Sequence, residues 1–366
     1  MKVNWRVINA SKNSYAALFA ACEESGFYLW PVEMPSSDVT CYSLNSLNEA
    51  AYREEIASAS CITIVGGPHA SACYNEVAQY ADYVVVGEGE YTLPELLKGI
   101  EKGETTPPPG VATREGLIPR TSTVILDAFS PFSQMKGYIE ISRGCPHHCA
   151  YCQTPCLFGG RMRHRSIDSI RDAAARFRDI RLLSPNALAY GSDGRHPRLD
   201  RVERLLSSLC GGNIYFGTFP NEVRPEFVTE EALHLIRKYC ANTRIHFGAQ
   251  SGSDAVLKRL HRGHTTAEVL HAVEVLIDCG FTPVVDFIVG LPFETDQDQA
   301  DTLDLIRWVS RHGVAHVHYF MPLPGTPLAG TQPRSLLPEM ERILGRLALQ
   351  GKVTGTWWDD KNRRLQ

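Results

Sequence analysis

The sequence predicts an α/β protein of two domains, a doubly wound parallel sheet followed by a partial barrel of six strand–helix units. Three features predict it: short β-rich runs alternating with helical stretches over the first hundred residues, three consecutive prolines after them, and a second strand–helix series from Gly137. Strands alternating with helices pair in parallel, with helices on both faces of the sheet. A chain of 366 residues is long for one core and suits two domains. With 43% hydrophobic and 21% charged residues it belongs among folded proteins, not disordered ones.

The first domain is expected over 1–105. Val3, Trp5 and Val7 alternate with polar neighbours, as in a strand. Tyr15, Leu18, Phe19 and Cys22 follow at helical spacing, and Gly26 ends that helix. Further strands are expected at Phe27–Val32, Val39–Tyr42, Cys61–Val65 and Tyr83–Val86. Ligands of such sheets bind beyond the carboxyl ends of the strands. Here those ends open into the loops Asn9–Ser14, Ser43–Ser46, Gly66–Ser71 and Gly87–Glu90.

Pro107, Pro108 and Pro109 forbid helix and stiffen the backbone, so 106–136 reads as a linker. The second domain, 137–330, has candidate strands at Tyr138–Ile141, Ile180–Leu183, Ile214–Gly217, Arg244–Phe247, Pro283–Ile288 and Ala315–Phe320. Amphipathic helices lie between them, one through Ile167, Ile170, Ala174 and Phe177 after a Ser166 cap. Residues 331–366 read as a helix through Leu337, Met340, Ile343, Leu344 and Leu347, then a tail in which Trp357 and Trp358 pack.

A net charge of −4 gives no reason to expect a nucleic-acid partner. The opening MKVNWRVINASKNS lacks the apolar core of a secretory signal, and no stretch reaches the roughly 20 apolar residues of a membrane span. The expectation is a cytoplasmic protein without a membrane partner.

Four of the eleven cysteines fall within Cys145–Cys156, which in a reducing compartment points to metal and not to disulfides. Cys22, Cys41, Cys61, Cys73, Cys210, Cys240 and Cys279 mostly lie in apolar runs and read as small core residues. Directly after the first strand of the second series stands SRGCPHHCAYCQTP, which spaces Cys145, Cys149 and Cys152 as CxxxCxxC. Three thiolates on one loop can hold three irons of a cubane and leave the fourth open to a ligand. The alternatives are a zinc site completed by His147 or His148, and a four-cysteine set completed by Cys156.

CPHHCAYC resembles the signature of the radical S-adenosylmethionine (SAM) superfamily. The resemblance implies a 4Fe–4S cluster on Cys145, Cys149 and Cys152, SAM on its open iron, and a 5′-deoxyadenosyl radical that abstracts hydrogen from an unactivated carbon. It extends over 137–330. SPNALAYGSDG places Gly191, Ser192 and Asp193 where the family binds the methionine amine, although the familiar GGE is absent. FGAQSGSDAVLKRLHRGHT resembles the fourth-strand segment, which implies Gln250, Ser251 and Ser253 at the ribose and carboxylate. VVDFIVGLPFET resembles the fifth, with Ile288 on the adenine and Gly290 and Leu291 beneath it. Tyr151 is expected beside SAM. Glu222 and Arg224 are expected to hold SAM or substrate or to act in catalysis, with a surface salt bridge as the plain alternative, and Tyr319 to reach the cavity or to pack in the core.

The arrangement GGPHAS…YVVVGEGEYTLPELL resembles the Rossmann-like (flavodoxin-like) cobalamin-binding domains that precede radical SAM barrels. By that resemblance Gly66, Gly67, Pro68, His69, Gly87, Glu88 and Gly89 shape the pocket for the nucleotide tail, while Ser11, Lys12, Asn13, Ser43 and Asn45 meet the corrin edge. The DxHxxG of histidine-ligated cobalamin proteins is absent from NASKNSYA, so cobalt ligation by the protein is not expected. A flavodoxin-like domain with phosphate or no ligand is the alternative.

Both cofactors together imply transfer of a methyl group from methylcobalamin to an unactivated carbon. Within the family the chain resembles the archaeal enzymes that methylate a glutamine α-carbon in methyl-coenzyme M reductase. That implies a protein or peptide substrate and an electron donor such as a ferredoxin or flavodoxin. The rival expectations are a methylthiotransferase and a non-catalytic cobalamin or redox sensor.

Overall fold

The computed structural model describes residues 1–209 and 211–357; Cys210 and Trp358, read above as packing residues, lie outside them. The chain divides into two compact units. One is Met1–Glu140 with Gln153–Gly159 and Asp168–Ala173; the other is Ile141–Cys152, Gly160–Ile167 and everything from Ala174. The expected boundary at 137 is therefore crossed twice by short segments.

The first unit is a seven-stranded sheet. Its strands are β1 (Val3–Arg6), β2 (Leu29–Val32), β3 (Val39–Ser43), β4 (Ile62–Gly66), β5 (Tyr83–Val85), β6 (Val111–Thr113) and β7 (Gly116–Ile118). They lie in the order β2-β1-β3-β4-β5-β6-β7, the first five parallel. Alternation sends Val3, Trp5, Cys41 and Ile64 to one core and Tyr42, Val65 and Val84 to the other. Helix Lys12–Glu24 adds Phe19 and Cys22 to the first core, and helix Gly89–Lys102 adds Leu93, Leu96 and Leu97. Strand order reverses between β1 and β3, which places a crevice at their carboxyl ends.

The expected linker is corrected here. β6 pairs antiparallel with β5 and β7 with β6, so residues after the prolines extend the sheet edge. Val124, Leu126 and Phe132 are buried as well. Prolines fix the approach to β6 without ending the domain.

The second unit follows β8 (Ile139–Glu140) and uses β9 (Ser142–Arg143), β10 (Arg163–His164), β11 (Asp179–Leu183), β12 (Asn213–Tyr215), β13 (Arg244–Gln250), β14 (Thr282–Val289), β15 (Val314–Tyr319) and β16 (Val353–Thr354). Ile141 N–H donates to Leu183 O at 2.9 Å, β11 and β12 run parallel, and β13 through β16 form a second parallel sheet. Val223 bridges Phe247 and carries the parallel series from the β12 segment to β13. The six expected strands all occur, to within a few residues at their ends. Helices Thr266–Asp278 and Asp296–His312 begin with reciprocal capping boxes, Thr265 with Glu268 and Thr295 with Asp298. The short antiparallel pair β9–β10 and the edge strand β16 were not expected.

Candidate active site

The cysteine loop leaves β9 and returns through β10, which pairs back on it. Cys152 N–H donates to Cys149 O at 2.9 Å, so the last two cysteines share one turn. Ala150 N–H donates to Leu260 O at 2.9 Å and fixes that turn on the barrel. His147 Nε2 pairs with Gly194 O at 2.9 Å, and Arg195 donates to Pro146 O at 2.8 Å. The glycine-rich loop after β11 thus holds the cysteine loop from its other side. Cys149 is buried, Cys145 and Cys152 are half-buried, and Cys156 is exposed.

Behind the thiols lies Arg262. Its Nη1 donates to Cys149 Sγ at 3.8 Å and its Nη2 to Gly248 O at 3.0 Å. Arg224 donates to the Arg262 carbonyl and to Glu226. His264 Nε2 pairs with Ala249 O at 3.2 Å, while its Nδ1 stands 3.7 Å from Glu226. Burial, then Arg262 and Arg224, push His264 down to about 2, so the imidazole is neutral. Arg262 Nε, His264 Nδ1 and Glu226 Oε2 are buried without hydrogen-bond partners. Arg224, expected near the chemistry, is buried and holds this network as a positioning residue.

Tyr151, Ile288 and Leu291 come together in one apolar cluster with Ala150, Val256, Leu260 and Phe320. Gly290 has φ +79°, and a side chain there would begin 2.6 Å from the Tyr319 ring and 2.8 Å from Arg334 O. Only glycine fits. Gln250 stands at a register shift in β13 with φ +72°. Ser251 and Ser253 turn elsewhere. Ser251 Oγ pairs with Thr302 Oγ1 at 3.1 Å, and Ser253 Oγ donates to Asp298 and caps helix Asp254–Arg259.

Of the residues expected after β11, the Gly191 N–H donates to His164 Nδ1 at 3.3 Å and Ser192 O pairs with His164 Nε2 at 2.8 Å. Asp193 is exposed, and the His196 and Arg195 amides hold its carboxyl well below the ordinary range. It stabilises a surface turn. The Tyr319 hydroxyl donates to Arg334 O at 2.8 Å, which makes it a packing residue beside Gly290.

Glu222 and Asp286, the latter on β14, act on each other's carboxyl. Burial raises both carboxyls, Asp286 to about 8 with Glu222 adding to it, and Arg262 pulls the other way. Sequence reasoning missed Asp286, Arg262, His264, the buried Asn186 amide, which also lacks partners, and Asn221, whose Oδ1 accepts from Ser184 while its Nδ2 has no partner. A lone carboxylate inside the apolar run VVDFIV was the available signal for Asp286.

In the first unit, the Gly87 N–H donates to Ser71 Oγ at 2.9 Å, which joins the loops after β4 and β5. Gly67 has φ +98°, and a side chain would start 2.5 Å from Leu44 O. Gly87, with φ +80°, meets nothing nearer than Leu157 O at 4.0 Å and leaves open space. Ser11 donates to Ile8 O and Asn45 accepts from Leu47 and Asn48, so those side chains stabilise their own turns. His69 Nδ1 lies 3.3 Å from Ser46 Oγ, and Glu88 accepts from Val124 N–H at 2.9 Å. Lys12 and Asn13 are exposed at the start of their helix, and Ser43 is buried beside Gly67. Gly89 lies against Leu18, and Gly66 and Pro68 complete the turn into helix Pro68–Ala72.

Residues 139–306 match the Radical SAM superfamily. The CPHHCAYC segment, whose resemblance implies a 4Fe–4S cluster and SAM, lies within that stretch. The chain is 29% identical over 334 residues to the tRNA-2-methylthio-N(6)-dimethylallyladenosine synthase of Anaplasma phagocytophilum, covering 86% of this chain and 72% of that one. It is 30% identical to the Geobacter sulfurreducens enzyme of the same name, over 73% of this chain and 60% of that one. In fold it resembles the radical SAM methyltransferase TsrM of Kitasatospora setae, solved with cobalamin and a 4Fe–4S cluster (TM-score 0.69, 16% identity, 90% of this chain and 74% of that one). The cobalamin-dependent SAM radical enzyme OxsB gives a TM-score of 0.63 at 16% identity over 96% of this chain and 62% of that one. At that identity both likenesses establish the fold. No helix among the described residues is long and apolar enough to cross a membrane.

The residues present fit the cluster. Cys149 faces a buried cationic donor, and buried polar groups beside it stand without partners. Among the described residues no three His, Cys, Asp or Glu side chains converge on a single ion, and His147 is bonded to Gly194. Thiolates that bind three different irons of a cubane need not converge on one point.

Proposed function

We propose that the chain is a cobalamin-dependent radical SAM methyltransferase that methylates an unactivated sp3 carbon. One observation carries this reading: the likeness in fold to TsrM and OxsB spans 90% and 96% of the chain, and so takes in the N-terminal sheet as well as the barrel. That sheet has the order 2-1-3-4-5, a switch-point crevice, and an open Gly87 where a flat bulky ligand needs close approach to backbone.

Cys145, Cys149 and Cys152 would hold the cluster, Tyr151, Gln250, Ile288, Gly290 and Leu291 would border SAM, and the loops after β4 and β5 would receive cobalamin. Together these groups would supply hydrogen-atom abstraction and a transferable methyl. The protein's own part is to position and to exclude water, since the cofactors carry the difficult chemistry. Arg262 offsets thiolate charge, the apolar cluster from Tyr151 to Leu291 walls the site, and Arg224, Glu226 and His264 fix Arg262 in place.

Sequence similarity favours a second reading, a methylthiotransferase, because the synthases above are named for that activity. Such enzymes carry a further three-cysteine cluster in the N-terminal domain. Here Cys22 and Cys41 are buried in an apolar core that pushes Cys22 up to about 12, as expected of inert thiols.

Anaerobic turnover of the reconstituted protein with reductant, cobalamin and SAM tests the choice. The methyltransferase yields 5′-deoxyadenosine and S-adenosylhomocysteine and adds about 14 Da to its substrate, the gain from replacing H by CH₃. A peptide around the glutamine of methyl-coenzyme M reductase is the first substrate to try. Absence of 5′-deoxyadenosine sinks the radical reading; its formation without any dependence on cobalamin sinks the methyltransferase.

A further inference from the structure

The segment that follows β15 ties together two parts of the second unit that lie far apart in sequence. After Tyr319 the chain runs without helix or strand until helix Pro338–Leu349. Near its start the Leu328 N–H donates to Ala150 O at 3.3 Å, in the turn that carries Cys149 and Cys152. The Leu328 side chain packs on the apolar cluster that holds Tyr151, Ile288 and Leu291. Farther on, the segment is bonded to the exit of β14 and to the helix after it. Arg334 N–H donates to Gly290 O at 2.9 Å, Gln299 Nε2 to Ser335 O at 3.1 Å, and Leu337 N–H to Gln299 Oε1 at 2.9 Å.

Arg334 makes most of these contacts. Besides its N–H, its carbonyl accepts from the Tyr319 hydroxyl at 2.8 Å. Its guanidinium donates to Glu294 O through Nη1 and to the Asp296 carboxylate through Nη2. One residue thus holds both ends of the turn 290–294 from outside. From within, Glu294 Oε2 accepts from the N–H groups of Gly290 and Leu291 at 3.1 and 3.2 Å. With side chains 39% and 72% exposed, the Arg334–Asp296 pair contributes little as a charge pair. Its effect is geometric, since a planar guanidinium that spans a carboxylate and a main-chain carbonyl fixes where both lie.

We propose that Arg334 is a positioning residue for SAM, which sets the turn 290–294 at the height where Gly290 and Leu291 border the nucleoside. The inference rests on the radical SAM reading and deepens it. SAM would reach from the cysteine loop to this turn, so the two must be in register before one ligand can span them. The segment from Leu328 to Leu337, outside the strand series, is bonded to both. Where the turn is out of place, the affinity for SAM falls with the fraction of molecules in which it is set correctly.

Equilibrium binding of SAM to the reconstituted holoenzyme tests the role in Arg334→Met, Arg334→Gln and Arg334→Lys. Iron content and the rate of 5′-deoxyadenosine formation at saturating SAM are measured beside it. Met and Gln cannot span the two acceptors and should weaken SAM about five- to tenfold, the scale of a lost hydrogen bond from a charged donor. Lys, which still reaches one acceptor, should fall between them and wild type. Iron content and the saturated rate should stay within about twofold of wild type, because a displaced turn weakens binding and leaves the chemical step alone. SAM affinity within about twofold of wild type in the Met or Gln variant overturns the proposal. So does a loss of iron or of saturated rate as large as the loss of affinity, which would make Arg334 a residue of the general fold. Two uncharged variants keep the test usable should one fail to fold. Wild-type protein that binds no SAM would overturn the radical SAM reading and this inference with it, whereas unaltered binding in the variants overturns the inference alone.

Discussion

Arg262 reaches Cys149 across 113 positions of sequence, with its Nη1 donating to the thiol at 3.8 Å and its Nη2 to Gly248 O at 3.0 Å. A guanidinium offers each acceptor its own fixed nitrogen, whereas an ammonium must reach both from a single one. Arg262→Lys should therefore keep the cluster and lower 5′-deoxyadenosine formation, whereas Arg262→Met should lose most of both. Iron content and the rate of nucleoside formation, measured anaerobically, check the order wild type, Lys, Met. Equal activity in all three would remove Arg262 from the site.

Cysteine replacements should divide by position. Cys145→Ala, Cys149→Ala and Cys152→Ala should each abolish the visible cluster absorbance. Cys156→Ala, at an exposed position four residues beyond Cys152, should retain it. Loss of the cluster on replacing Cys156 would restore the four-cysteine alternative.

Tyr319 donates its hydroxyl to Arg334 O, a contact that stabilises and does not react. Tyr319→Phe should cost about 1 kcal/mol of stability, the ordinary value for one hydrogen bond. Turnover in the folded variant should stay within about twofold of wild type, since no interaction specific to the transition state is removed. A fall of two orders of magnitude would make Tyr319 a catalytic residue.

Gly290→Ala should be far more damaging than its single added methyl suggests. With φ +79° and a new carbon 2.6 Å from the Tyr319 ring, the backbone or the ring must move. Strain of this kind costs about 1–3 kcal/mol. Chemical unfolding of the apo protein measures it, and a neutral result would show that the turn is freer than drawn.

Asp286 has a sign that can be worked out. Its folded value, raised to about 8 mainly by burial, exceeds the ordinary 3.8, so the folded state holds the extra proton between those limits. Stability should fall as pH rises from about 4 to about 8, since the unfolded chain then binds fewer protons than the folded one. Asp286→Asn should flatten that slope in apo-protein unfolding measured across this range. An unchanged slope would mean that Asp286 ionises freely.

Much was legible because the signals are local. Apolar runs placed Arg244–Phe247 and Pro283–Ile288 within strands that the structure extends to Gln250 and Val289. The cysteine spacing and the glycine before Leu291 could be read directly, and both lie where the barrel strands end. β6 and β7 could not be read, since three residues each after a proline run carry too little periodicity to mark a strand. Ser251 and Ser253 matched a motif whose hydroxyls the fold turns toward helix Asp296–His312.

By itself, then, the sequence determined most of the strands and helices of both series and the spacing of the three cysteines, because periodicity and spacing are written into neighbouring residues. Only tertiary structure decided which polar side chains are buried and against what: Arg262 against Cys149, Glu222 beside Asp286, and Arg224 against the Arg262 carbonyl. Those pairings join residues far apart along the chain, and the free energy of a buried charge is set by the partner it meets there.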